Sequence, residues 1–144
     1  MKIFLQKYGI YLAFGVALMA MLGSLFFSEI MNLPPCVLCW YQRISLYPLV
    51  FLLPVAIIRK SKDIYYYALA LLIPGFVVSL FHNLLYLKII PENVSPCVAG
   101  ISCTTKYFEW FGFITIPLLA FVVFVILILL MVHGIKHHHN NQIN

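Results

Sequence analysis

The sequence predicts an all-α membrane protein, a four-transmembrane-helix bundle with two outer cysteine-bearing loops. Three observations lead there. Of 144 residues, 64% are hydrophobic and 9% charged, with a mean hydropathy of +1.02, whereas soluble domains run nearer 45–50% apolar and about 25% charged. A core of this size cannot hide that much apolar surface, so lipid is the expected solvent for most of it. Four apolar stretches punctuate the chain, and all four cysteines fall between them.

The predicted spans cover residues 8–28, 40–58, 64–87 and 110–132 of a single domain, 1–144. Each reaches the roughly 20 residues needed to cross the hydrocarbon once its aromatic flanks are counted. The first follows Lys2 and Lys7, but its run is too long for a cleaved signal peptide and lacks a small-x-small site, so its retention is expected. Gly9, Ala13 and Ala17 recur every four residues within it, as do Ala20, Ser24 and Ser28. Small residues at that spacing let helices approach closely in lipid. Trp40 and Tyr41, Tyr65–Tyr67, and Tyr107, Phe108 and Trp110 mark span ends, since amphipathic rings prefer the headgroup level. Pro48, Pro54, Pro74 and Pro117 lie inside the predicted spans and are expected to kink them.

Four spans put both termini and the Arg59–Asp63 loop on one side, and the two cysteine segments on the other. Six basic residues (Lys2, Lys7, Arg59, Lys60, Lys62, Lys136) face three (Arg43, Lys88, Lys106). By the positive-inside rule the termini are cytoplasmic and the cysteines extracytoplasmic. The net charge of +5 thus reads as an orientation signal, and no basic cluster interleaved with aromatics suggests a nucleic-acid partner. Asn93-Val94-Ser95 matches a glycosylation sequon followed by Pro96 and carries little weight, and His137–His139 reads as a solvated tail.

Cys36 and Cys39 form a Cys-x-x-Cys just before the second span, and Cys97 and Cys103 lie in the last outer loop. Four cysteines allow three pairings, of which close spacing favours Cys36–Cys39 with Cys97–Cys103. A two-residue spacer closes too small a ring to constrain the unfolded chain, so the first pair is a poor staple. At a helix N-terminus, however, its second thiol, Cys39, would meet the positive end of the dipole and gain thiolate character. Pro34 and Pro35 help fix where that helix starts. Arg43 follows Cys39 by four residues, one turn along the same face, and would add a positive charge or simply anchor the interface. A metal site is not expected: Cys97 and Cys103 are not a second Cys-x-x-Cys, and neither outer loop holds a histidine.

His82 and Asn83 lie near the outer end of the third span, about 8 Å below its end at 1.5 Å per residue. An ionisable residue there marks a candidate site, the plain alternative being a histidine bonded to a neighbouring helix. A lipid-soluble aromatic acceptor could rest between these helix ends, its carbonyl within reach of Arg43 or His82.

The string Pro35-Cys36-Val37-Leu38-Cys39-Trp40-Tyr41-Gln42-Arg43, with a second pair two spans later and Trp110-Phe111-Gly112-Phe113 opening the last span, resembles the DsbB family of disulfide-bond formation proteins. The whole chain looks like its compact Gram-positive, BdbC-type branch. The resemblance implies that a thioredoxin-like oxidase of the DsbA or BdbD type delivers electrons to Cys97–Cys103. They would then pass to Cys36–Cys39 and on to a quinone beside Cys39, menaquinone favoured over ubiquinone, with Arg43 and His82 as its binding residues. The Cys97–Cys103 loop is shorter than in many proteobacterial members, so partner docking does not transfer in detail. Each 30 mV of favourable potential is worth about 1.4 kcal/mol in such a relay.

Two other readings compete. An enzyme resembling vitamin K epoxide reductase is also a small helical bundle, but its Cys-x-x-Cys would be expected near the last span. A transport or scaffold protein stapled by disulfides explains the composition and leaves the Cys39–Arg43 spacing to coincidence.

Overall fold

The computed structural model describes residues 2–61, 63–91 and 115–143, with side chains over 8–61, 63–91 and 115–136. Helix α1 (Lys2–Leu25) runs directly into a π turn (Phe26–Ile30), closed by the Met31 N–H donating to the Phe26 carbonyl at 3.1 Å. Asn32 then takes a left-handed conformation (φ 50°), which asparagine tolerates better than most residues. Pro34 and Pro35 follow, neither able to extend the helix.

Helix α2 (Val37–Arg59) starts at Cys36, an extended N-cap residue whose sulfur accepts from the Cys39 N–H at 3.4 Å. The helix therefore begins three residues before the predicted 40–58 span. Trp40 lies one turn inside it, 54% exposed, at a level an interfacial ring favours. Lys60 ends α2 in the left-handed region, its N–H donating to the carbonyls of Ala56 and Ile57. Helix α3 (Ile64–Tyr86) returns across the bundle.

Helix α4 (Ile116–Ile143) is capped by Thr115, whose hydroxyl accepts from the Leu118 N–H at 3.3 Å and whose carbonyl accepts from Leu119 at 3.0 Å. The fourth span was predicted from residue 110; residues 110–114 lie outside the described residues, and Thr115 precedes the helix. Pro117 consequently sits in the first turn, where a missing N–H costs no helical bond, so it does not kink a span as the sequence suggested. Pro48, Pro54 and Pro74 do lie inside α2 and α3.

The stretches Tyr8–Ile30, Val37–Arg59, Ile64–Tyr86 and Ile116–Lys136 are each long and apolar enough to span a membrane, and no strand occurs among the described residues. The helices form a ring in which α1 and α3 each pack on both α2 and α4. Ala13 and Ala17 are fully buried, so one small-residue stripe read from the sequence is a packing face. Leu49, Leu53, Leu72, Phe124, Leu127 and Met131 fill the centre. Phe51, Ile58 and Leu129 stand outside, which lipid tolerates and water would not. A very close approach is at Gly75: a Cβ there would overlap the Phe124 ring and stand 2.7 Å from the Ser45 Cβ. Only a hydrogen fits between α2, α3 and α4 at that level. The start of α2, the end of α3, the start of α4 and the π turn share one end of the bundle, and the site forms there.

Candidate redox site

At that end the N-cap of α2 places Cys36, 7% exposed, against α3. Leu38 and Leu85 are buried with it, and Val78, Phe81 and Ile90 pack around them. The Cys36 and Cys39 sulfurs lie 2.8 Å apart as free thiols. His82, only 2% exposed, reaches the pair from α3, its Nε2 3.9 Å from Cys36 Sγ. Its Nδ1 faces the side-chain Nε2 of buried Gln42 at 3.4 Å.

This geometry revises the expectation for the thiols. The sequence pointed to Cys39 as the thiol at the helix N-terminus. Because α2 begins at Val37, the sulfur in the N-cap position is that of Cys36. The hydrogen bond from the Cys39 thiol holds Cys36 well below the ordinary thiol range. Burial opposes this, while the His82 contact, its charge and the Cys39 N–H reinforce it.

Arg43 shares a cavity wall with Cys39, as its four-residue spacing implied, and is also tied to α1. Its Nε donates to Ser24 Oγ at 2.9 Å and its terminal nitrogen to the Ser24 carbonyl at 3.1 Å. The guanidinium also lies 5.4 Å from the centre of the Trp40 ring, a cation–π distance. It thus fastens α2 to α1 just before the π turn, where Ser28 also donates to the Ser24 carbonyl. Asn83 is a clamp between helices, donating to the Ser79 carbonyl at 2.8 Å and the Pro117 carbonyl at 2.9 Å.

A cavity of about 260 Å³ opens between the helices, larger than the roughly 150 Å³ that holds a benzene ring in an apolar core. Its wall takes Ser24 and Phe27 from α1 and the π turn, and Cys36, Cys39, Gln42, Arg43 and Tyr47 from the α2 segment. His82 and Tyr86 come from α3, and Thr115, Ile116 and Phe124 from the α4 segment. The lining is mostly apolar with a few polar groups, as ligand sites usually are. The Tyr47 hydroxyl, shielded from water, has no hydrogen-bond partner among the described residues.

The ligand atoms of Cys36, Cys39 and His82 lie within 4.8 Å of one another, a thiolate–imidazole set suited to zinc or another soft metal. The histidine-free outer loops had argued against such a set, and His82 supplies the nitrogen from within a span instead. Cys97 and Cys103, like the Trp110–Phe113 string, lie outside the described residues. The sequence reading took Ser24 only as a small packing residue and Gln42 only as part of the Cys-x-x-Cys string, and did not single out Tyr47. Tyr47 alone carried a local signal, because Cys39, Arg43 and Tyr47 recur at four-residue spacing on one face.

A family model described as disulfide bond formation protein DsbB matches residues 6–134. The disulfide bond formation protein C of Bacillus subtilis is 45% identical over 122 residues, 85% of this chain and 88% of its own. A probable disulfide formation protein C 2 of Bacillus anthracis is 43% identical over 138 residues, 94% and 97% of the two chains. A probable disulfide formation protein of Metapseudomonas resinovorans is 39% identical over 118 residues, 81% and 82%. No solved structure matches.

Proposed function

The chain belongs to the DsbB family of disulfide bond formation proteins, membrane thiol–disulfide oxidoreductases, and from that premise we propose that it reoxidises an extracytoplasmic thioredoxin-like dithiol oxidase and passes the electrons to a membrane quinone. The observation that carries this reading is the cavity at the end of the bundle, which has both sulfurs of the Cys-x-x-Cys in its wall. Cys97–Cys103 meets the soluble partner and exchanges with Cys36–Cys39, each exchange moving two electrons as one disulfide forms and another opens.

The lining fits a ring that is apolar at its faces and polar at its oxygens. Phe27, Ile116 and Phe124 offer apolar contact. Arg43 and the unused Tyr47 hydroxyl are the donors for ring oxygens, and His82 stands beside Cys36. A bound quinone supplies the terminal oxidant, taking two electrons and two protons to become a quinol. The residues themselves hold Cys36 as thiolate, keep Cys39 beside it and exclude bulk water from the pair. The six-to-three basic asymmetry orients this end outward.

The test is to purify the chain, extract and identify any bound quinone, and follow oxidation of a reduced thioredoxin-like oxidase. Quinone consumed mole for mole with partner dithiol, abolished by Cys36→Ser, is the expected result. A chain that binds neither menaquinone nor ubiquinone and oxidises nothing would be a stapled scaffold.

A further inference from the structure

The electron route needs two sulfurs, yet three ligand atoms meet at this end of the bundle. Cys36 Sγ, Cys39 Sγ and a ring nitrogen of His82 lie within 4.8 Å of one another. Nε2 is the nitrogen turned to the sulfurs, 3.9 Å from Cys36 Sγ, while Nδ1 lies on the Gln42 side. Tetrahedral zinc takes sulfur at about 2.3 Å and nitrogen at about 2.0 Å, which sets two sulfurs about 3.8 Å apart and sulfur and nitrogen about 3.6 Å. The imidazole is thus about 0.3 Å too far from Cys36 Sγ. The sulfurs, 2.8 Å apart as thiols, need to part by about 1 Å, which a turn of Cys39 into the cavity it lines allows. Cys-x-x-Cys is a usual spacing for two zinc ligands. The Cys39 N–H already donates to Cys36 Sγ, the kind of outer contact that supports a ligating atom. Zinc with two thiolates and a neutral imidazole carries no net charge. It can therefore be held where Cys36 is 7% exposed and His82 2%, without burying an unpaired ion.

We propose that the reduced pair and His82 form a binding site for zinc, and that the bound ion holds the pair reduced and out of exchange. Binding balances without electron transfer: two sulfurs and Nε2 bond to the ion, and two thiol protons leave to solvent. A water takes the fourth position that three protein ligands leave. A sulfur bonded to zinc has its attacking electron pair in that bond, so it no longer opens a disulfide. The oxidised pair offers no thiolate, so the ion selects one redox state. Zinc is here a regulator and not a cofactor, since the electron route runs without it. Binding needs only the dithiol and the imidazole; that the ion interrupts electron flow rests on the redox reading of the pair.

The experiment uses the full chain with Cys97→Ser and Cys103→Ser, reduced, stripped of quinone and held in detergent. Cobalt(II) is titrated in as the probe and zinc is added after it. One cobalt per chain should bind with the strong visible bands of a tetrahedral thiolate site, and zinc should bleach them by displacement. The same chain with Cys36–Cys39 oxidised is the blank for other ligands, His137–His139 among them, and should show no such bands. Equal bands in both forms would put the metal elsewhere and overturn the proposal. His82→Phe should weaken cobalt binding about tenfold or more, as loss of even a supporting residue does. Unchanged affinity would leave a bare dithiol chelate and overturn the site. X-ray absorption of the zinc-loaded parent decides without any change at His82. Two sulfurs at about 2.3 Å and an imidazole nitrogen at about 2.0 Å are expected, and sulfurs without imidazole overturn the assignment. On adding oxidised glutathione, the zinc-loaded chain should keep its thiols until a chelator removes the ion; thiols lost equally fast with zinc overturn the hold on the pair. Menaquinone given to the zinc-free reduced chain separates the two readings. If none is reduced, the electron route sinks, while the cobalt, X-ray and thiol readings judge the metal site independently.

Discussion

Replacing Tyr47 by Phe should push the stability of the chain and its quinone affinity in opposite directions. The substitution removes one oxygen and leaves the ring in the cavity wall. That oxygen is out of reach of water and bonded to nothing among the described residues, and a buried hydroxyl without a partner costs about 1–3 kcal/mol. Without quinone, Tyr47→Phe should therefore raise resistance to denaturation by up to that amount. With quinone, a small rotation of the ring gives the hydroxyl a carbonyl to donate to, and binding relieves the same penalty. The phenylalanine protein forgoes that relief, so its dissociation constant should rise about 5- to 150-fold, taking 1.4 kcal/mol per factor of ten. Stability is read from denaturation of quinone-stripped protein in detergent, and affinity from titration of the same preparation. Lower stability together with unchanged affinity would refute the reasoning, because it would mean the hydroxyl has a partner in the fold and none in the ligand.

Other outcomes follow from the same geometry. Ser24→Ala removes the hydroxyl that accepts from Arg43 Nε and should weaken quinone binding several-fold. Arg43→Met should weaken it more, and equal affinity in all three proteins would reduce Arg43 to an interface anchor. Gly75→Ala forces a methyl group into the Phe124 ring and to 2.7 Å from the Ser45 Cβ; it should destabilise by about 1–3 kcal/mol as overpacked cores do, seen as a lower thermal midpoint. Cys103→Ala should let a thioredoxin-like oxidase accumulate as a mixed disulfide at Cys97, visible on non-reducing gels, whereas trapping at Cys36 would reverse the proposed order. A reporter fused after Asn144 should be active only in the cytoplasm, and an external signal would invert the orientation.

Much of this architecture was legible because lipid imposes a simple code. Four long apolar runs, and a Cys-x-x-Cys just ahead of the second, needed no tertiary information. Ala13 and Ala17 announced a packing face through their spacing alone. The start of α2 was misplaced because Trp40 was read as the interface marker, whereas the turn after Pro35 already lets Cys36 cap the helix. That shift of three residues moved the favoured thiolate from Cys39 to Cys36. Pro117 misled for a similar reason, since a proline in a first turn and one in a helix interior look alike until the cap at Thr115 is known. Ser24 with Arg43, and Gln42 with His82, join residues 19 and 40 positions apart. No local periodicity encodes such pairs; they exist only once the helices pack.

The ring of helices divides into two hairpins at the Arg59–Asp63 loop, and the site is shared between them. Cys36, Cys39, Gln42 and Arg43 belong to the first hairpin, with Ser24; His82 and Thr115 belong to the second. While the chain is being inserted, the first hairpin can be complete in the bilayer before the second exists. At that stage the dithiol has its arginine but not its imidazole, and the cavity lacks two of its walls. Cys36 already has the Cys39 thiol that lowers it most, and docking of the second hairpin adds the His82 contact that reinforces the effect. Fragments cut within that loop and produced together would report docking of the hairpins through a further gain in Cys36 reactivity.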